Sequence, residues 1–358
     1  MIDGVFVVDA TIHGFNFKED NILYKPMAAM QPMMHALSMD KWGPQDDRRY
    51  ALTYDEFQNL FDLQPNVTEQ VLFAESQTDF AVYHGVPMYG LFKDGSSPVW
   101  VAQRVAERLP HRVFVYGDIS PYHPDPMGWI DELVTNPSTI GLKFYPADMY
   151  MGEAVPVLLN DEKRVFPIIE HARNKGIKVI AVHKAVGSVR QADIEYFGPT
   201  DLVPAIETFP DITFEIVHGG YAFAAETAMI FEKYDNVTVN LETNPVFALN
   251  SADKFADMMS DLLATGKHDK IFYATGATAI HPQPFLEAFW CFEMPRGYPK
   301  LTEEMKAGMM GANFARMHGW DVEALLDKCR ADKYGLENKK LEAPWSTVPG
   351  HYDVSKVA

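Results

Sequence analysis

The chain has 358 residues, 47% hydrophobic and 22% charged, which is ample material for a folded core and within the length of one α/β barrel. Its net charge of −18 argues against a nucleic-acid partner, whose phosphates demand a basic surface, and acidic excess supports solubility. No apolar run reaches the roughly 18 residues a membrane span needs, and Met1-Ile2-Asp3-Gly4-Val5-Phe6 lacks the basic-then-apolar pattern of a secretory leader.

In chain order, strand-like runs fall at Gly4–Asp9, Phe80–Tyr83, Arg112–Tyr116, Ile140–Phe144, Lys178–Val182, Thr213–Val217, Val237–Leu241 and Lys270–Tyr273. Helical patterns at Pro98–Arg108, Glu162–Lys175, Ala222–Tyr234 and Pro284–Phe292 lie between them. Strands alternating with helices imply βαβ units and a parallel sheet. Continuous apolar runs such as Val5-Phe6-Val7-Val8 and Val179-Ile180-Ala181-Val182 suit strands buried on both faces. Eight such units predict an α/β fold, a closed (β/α)8 TIM barrel over residues 1–333. Two stretches break the rhythm. Residues 14–69 form a long insertion after strand one, rich in Met27, Met30, Met33, Met34, Tyr50, Phe57 and Phe61, expected as a lid or an interface. Residues 334–358, with Pro344 and Pro349, are expected as a polar C-terminal tail. Cys291 and Cys329 are too few for a disulfide framework and are expected as buried free thiols in a cytoplasmic protein. In that compartment the sequons at Asn66 and Asn236 are chance matches.

Barrel chemistry sits at the C-terminal ends of the strands, and here those ends are polar. His13, His84, Asp118, Lys143, His183, His218, Glu242 and, shortly after strand eight, His281 fall there. A lone histidine after a strand is usually a hydrogen-bonded core or loop residue. His13, His183 and His218 share one expected address, however, and three neutral imidazoles at a barrel mouth match a site for one divalent zinc, iron or manganese ion with an open position. His111 and His268 precede strands, on the opposite rim, and serve as contrasts without a role. His35, His123, His171, His318 and His351 are read as structural.

Several blocks resemble the amidohydrolase-related family, in the branch of aminocarboxymuconate semialdehyde decarboxylase. They are Val7-Val8-Asp9-Ala10-Thr11-Ile12-His13, Gly141-Leu142-Lys143-Phe144-Tyr145-Pro146, the His183 segment, His218-Gly219-Gly220, Lys270 to Gly276 with Pro282-Gln283-Pro284, and Gly311-Ala312-Asn313-Phe314-Ala315-Arg316. The resemblance implies a metal-binding barrel, and the chain departs from it at two positions. Thr11 stands where the family has the first histidine of a His-x-His pair, and Gly276 stands where it has a metal-binding aspartate that moves the proton of the attacking water. Losing such a base costs about 10²–10⁴ in rate. Glu242, Asp118, His84 and His281 are the candidates to replace it, Glu242 first because it ends an adjacent strand. Lys143, carbamylated in some relatives, is expected as a plain lysine beside a carboxylate.

The resemblance leaves three functions open, of which the second is the leading expectation and the others are alternatives. The first is a mononuclear zinc- or manganese-dependent hydrolase or non-oxidative decarboxylase of a small carboxylate. The second follows from Val8-Asp9-Ala10 through His13-Gly14-Phe15-Asn16-Phe17 and the long insertion, which resemble the barrel proteins of a two-subunit, metal-dependent hydroxylase (a monooxygenase) of 2-aminoisobutyrate. In that reading the chain is the mononuclear-site subunit of a hetero-oligomer and needs a homologous partner subunit. The third is a catalytically inactive structural subunit.

Overall fold

Eight strands pair in parallel in one sheet: β1 (Val8–Ile12), β2 (Phe80–His84), β3 (Val113–Asp118), β4 (Thr139–Phe144), β7 (Val179–His183), β8 (Thr213–Val217), β9 (Val237–Asn240) and β10 (Ile271–Phe272). The computed structural model describes residues 1–185, 196–336 and 340–351. The sheet closes between its edges, where Ala10 N donates to Tyr273 O at 3.0 Å and Gly276 N donates to Thr11 O at 2.9 Å. The expected (β/α)8 TIM barrel is therefore the fold.

Alternation along each strand explains the apolar runs. Val8, Ala10, Phe80, Val82, Val179 and Ala181 belong to one buried cluster, together with Tyr116, Phe272 and Ala274. Their neighbours Val7, Ala81, Ile180, Phe214 and Val239 belong to another, with helical residues such as Val105, Ile169 and Phe231. With both faces dry, each strand position gains from burial, about 1.5–3 kcal/mol for a large aliphatic or aromatic side chain. Phe214→Ala would empty such a position at about 3–5 kcal/mol.

The strand boundaries shift in informative ways. The first strand begins at Val8 rather than Gly4, because Gly4 (φ 83°) sits in a turn closed by Ile2 and Val5. One hairpin was not anticipated, β5 (Ala147–Tyr150) with β6 (Glu153–Pro156). Its two linking residues, Met151 and Gly152, both have positive φ, the turn that matches strand twist.

The insertion folds into short helices, including Met30–His35 and Tyr54–Asn59, the latter started by a Thr53/Glu56 capping box. Its buried Phe17, Met39, Phe57 and Phe61 form a second small core. Met27, Met30 and Met34 only pack partly against it. Trp345, from the stretch expected as a free tail, is buried in the same core, and its indole N–H donates to Tyr50 O at 3.0 Å. Residues 337–339 and 352–358 of that stretch lie outside the described residues. Cys329 is buried as expected; Cys291 is exposed, because the Pro282–Cys291 helix turns it outward at its last position.

Candidate metal centre at the barrel mouth

His183 is the last residue of β7, His218 follows β8 directly, and His13 and Glu242 lie just beyond β1 and β9. Barrel closure brings these four together. His13 Nε2 lies 2.8 Å from Glu242 Oε1, His218 Nε2 lies 3.4 Å from Glu242 Oε2, and His218 Nε2 lies 3.0 Å from His183 Nδ1.

The tautomers are set from behind. His13 Nδ1 bonds His84 O at 2.9 Å, and His218 Nδ1 bonds Glu242 O at 3.1 Å. A ring nitrogen that donates to a carbonyl leaves the other with a lone pair for a ligand. Three buried polar atoms here, His183 Nε2, Glu242 Oε2 and Lys143 Nζ, have no hydrogen-bond partner among the described residues. Buried orphans are rare and costly, so this cluster fits a divalent cation by both its nitrogen and oxygen donors and its open valences.

Backbone strain gathers at the same place. His218 (φ 67°) and Thr243 (φ 66°) are non-glycine residues in the left-handed region. Gly276 (φ 79°) sits in the left-handed region, and a Cβ there would press tightly on Glu242 Oε1 at 3.1 Å and Thr243 Oγ1 at 3.3 Å. Glu242 thus occupies the space beside the eighth strand where an aspartate at 276 would project.

A polar layer supports the donors from below. Asn240 accepts from Glu242 N at 2.9 Å through Oδ1, and its Nδ2 donates to Thr11 Oγ1 at 2.9 Å and Glu215 Oε1 at 2.7 Å. Thr11 Oγ1 lies 3.3 Å from His84 Nε2, and His84 stacks on Tyr116 with centroids 4.6 Å apart. Thr11 is therefore a hydrogen-bonding strut. Asn240 and Glu215 were missed from sequence, although Asn240 ends β9 two residues before Glu242, the spacing that puts residues of an extended chain on one face.

Burial dominates the electrostatics. It drives His183 and His84 well below the usual imidazole range, and lowers His218 as well, toward the neutral form that binds metal. Burial raises Glu242, but the flanking His218 and His13 and then Lys143 outweigh it and hold the carboxyl well below its usual range. Burial brings Lys143 down to about 8 against the pull of Glu242 and Glu215, and Glu215 up to about 7. Phe15 packs 4.8 Å from His13, and Tyr145 packs 4.5 Å from His183.

The other candidates lie apart. His84 is beneath the donors. Asp118 ends β3 in a neighbouring cleft, where Oδ2 accepts from Tyr89 at 2.6 Å. His281 lies 3.2 Å from Glu75 and caps the Pro282–Cys291 helix by accepting from Gln283 N at 3.4 Å, which occupies both ring nitrogens. On the opposite rim, the ligand atoms of His111, Cys329 and Asp332 all lie within 4.8 Å of one another. Asp332 is already held there by Arg112, however, and burial pushes the Cys329 thiol up to about 12. That trio is a structural cluster.

Residues 40–320 match the amidohydrolase family model. No match is found among curated proteins. Among solved structures, an uncharacterised TIM-barrel protein of Bordetella bronchiseptica shares 14% identity at TM-score 0.62, over 88% of this chain and 100% of that one. A 2,6-dihydroxybenzoate decarboxylase from Rhizobium shares 10% identity at TM-score 0.54, over 74% and 91%. A 5-carboxyvanillate decarboxylase from Novosphingobium aromaticivorans, complexed with manganese and 4-hydroxy-3-methoxy-5-nitrobenzoic acid, shares 13% at TM-score 0.53, over 88% and 97%.

Proposed function

Since the chain belongs to the amidohydrolase family, we propose that it is a metal-dependent enzyme holding one divalent ion between His13, His183, His218 and Glu242, and that it decarboxylates a small carboxylate without oxidation. The observation that carries this reading is the pairing of Glu242 with Gly276: the carboxylate absent from the eighth strand is supplied from the end of the seventh. The two decarboxylases of similar fold, one of them with manganese, support the reaction class.

When bound, the ion supplies Lewis acidity toward a substrate carboxylate or carbonyl. His13 and His218 present Nε2 because their Nδ1 atoms are committed to backbone carbonyls. Asn240 fixes the direction of Glu242 through the Glu242 backbone N–H. Glu242, held ionised beside His218 and His13, would complete the donor set of the ion, and Lys143 Nζ, which has no hydrogen-bond partner among the described residues, holds the proton that forms the C–H bond replacing the broken C–C bond as CO2 departs. Phe15, Tyr145 and Phe197, around His13 and His183, keep water from that carbon.

The same donors favour a second reading. Within that set, His13 and His218 flank the Glu242 carboxylate at 2.8 and 3.4 Å, and two imidazoles with one carboxylate form the set used by non-haem iron oxygenases. On that basis the chain is the mononuclear-site subunit of a hetero-oligomeric hydroxylase of a small amino acid such as 2-aminoisobutyrate, beside a homologous partner. The experiment is metal analysis of purified protein with anaerobic CO2 release from a panel of small carboxylates. About one ion per chain with anaerobic turnover supports the decarboxylase. One ion without it, but O2 uptake once the neighbouring homologous gene is co-expressed, moves the assignment to the hydroxylase. A stable metal-free chain refutes both and leaves a structural subunit.

A further inference from the structure

Beside the mouth, between the loops after β2 and β3 and the β5–β6 hairpin, lies a cleft of about 670 Å³ lined by none of the four metal donors. The loops are braced against each other. Gly90 N and Ser120 Oγ each donate to the Asp148 carboxylate at 3.0 Å. A Cβ at Gly90 would lie 1.7 Å from Met149 O, so only glycine permits that approach.

Aromatic rings make up much of the lining. His123 stacks with Trp129 at 5.9 Å and meets Tyr89 edge-on at 5.1 Å. Arg104 lies over Trp100 and Arg164 over Tyr122, while Tyr89 and Trp129 flank Asp118 directly, the Tyr89 hydroxyl donating to its carboxylate at 2.6 Å and the Trp129 indole N–H to its carbonyl at 2.8 Å. Lys93, Asp94 and Glu132 are exposed at the rim. Asp118 is the charged lining residue that is buried, at 1% exposure. Its Oδ1 has no hydrogen-bond partner among the described residues, while Oδ2 takes the Tyr89 hydroxyl. Burial lifts this carboxyl to about 6, as expected where no cation answers it.

These features select a ligand class. An anion would meet Asp118 with like charge. A neutral apolar molecule would leave Oδ1 unpaired in a drier site. A cation with an alkyl shell satisfies the carboxylate and lies against ring faces that carry negative potential. We propose that this cleft is a binding site, separate from the metal centre, for a small organic ammonium ion.

The test is calorimetric titration of the full chain with n-butylammonium chloride at constant ionic strength, with n-pentanol as the neutral analogue. Saturable one-to-one binding of the ammonium is expected, with n-pentanol at least about tenfold weaker. Asp118→Asn should weaken the ammonium by about tenfold or more. Tyr89→Leu should do likewise, and it serves if Asp118→Asn fails to fold. His183→Ala should bind n-butylammonium as the parent does. Absence of saturable binding, equal binding of n-pentanol, or loss of binding in His183→Ala would each overturn the proposal.

Discussion

At the N-terminal rim Arg112 is buried, and its guanidinium donates to both Asp332 oxygens and to the carbonyls of Asp79, Cys329 and Gly335. His111 completes that cluster at 2.8 Å from Asp332. At the C-terminal rim charged and imidazole groups are buried too, but His183 Nε2, Glu242 Oε2 and Lys143 Nζ have no hydrogen-bond partner among the described residues. Satisfied groups hold a fold together, whereas orphaned groups need something else to bind. The contrast separates His111, tied into an ion pair with Asp332, from His183, whose Nε2 is open, and it supports the proposed metal site over the tight His111–Cys329–Asp332 trio.

The sharpest way to break this comparison is the His183→Ala, His218→Ala double variant. It should fall from about one ion per chain to none by elemental analysis while keeping its circular dichroism spectrum; unchanged metal content would mean the ligands are elsewhere. Glu242→Gln comes next, with a loss of about 10–100-fold or more in metal affinity and turnover on whichever substrate is identified, because the isosteric amide is a neutral donor that cannot balance the cation. Retained turnover would hand the role to another group. On the other rim, Asp332→Asn should cost about 3–5 kcal/mol in denaturant unfolding, because it strips the buried Arg112 of its counter-ion, yet leave the metal content unchanged.

The same aspartate gives a pH test. Burial alone would raise Asp332, but the hydrogen bonds from Arg112 and His111 win and hold it at about 2. A depressed carboxyl stabilises the fold above its unfolded value, near 4, and that contribution fades as the pH falls toward 2. Acid titration should therefore show a stability loss between about pH 4 and 2 that is flattened in Asp332→Asn. The smallest effect belongs to Gly276→Ala. The left-handed φ costs about 1–2 kcal/mol, and the added methyl presses on Glu242, so a modest stability loss should come with weaker metal retention. A neutral outcome would loosen the link between Gly276 and Glu242.

Much of the barrel was legible because its causes are local. Eight apolar runs buried on both faces, spaced by helical patterns, leave few topologies, and strand ends could be counted to His13, His183 and His218. Glu242 could be named as a replacement acid but not placed. The short β10 and the β5–β6 hairpin carried weak signals, the latter only Met151-Gly152. Trp345 in a polar, proline-containing stretch gave no sign that it would be buried.

The amino-acid pattern by itself thus determined the parallel barrel, the family it belongs to and the rim on which its histidines gather, because periodicity and strand polarity act over a few neighbouring residues. Only the closed tertiary structure decided that Glu242 reaches the space beside Gly276, that Asp118 belongs to a separate aromatic cleft, and that His281 is consumed by Glu75 and a helix end. Those outcomes depend on which side chains meet across strands far apart in sequence. A carboxylate's role is set by the cation or void it faces rather than by its position in the chain.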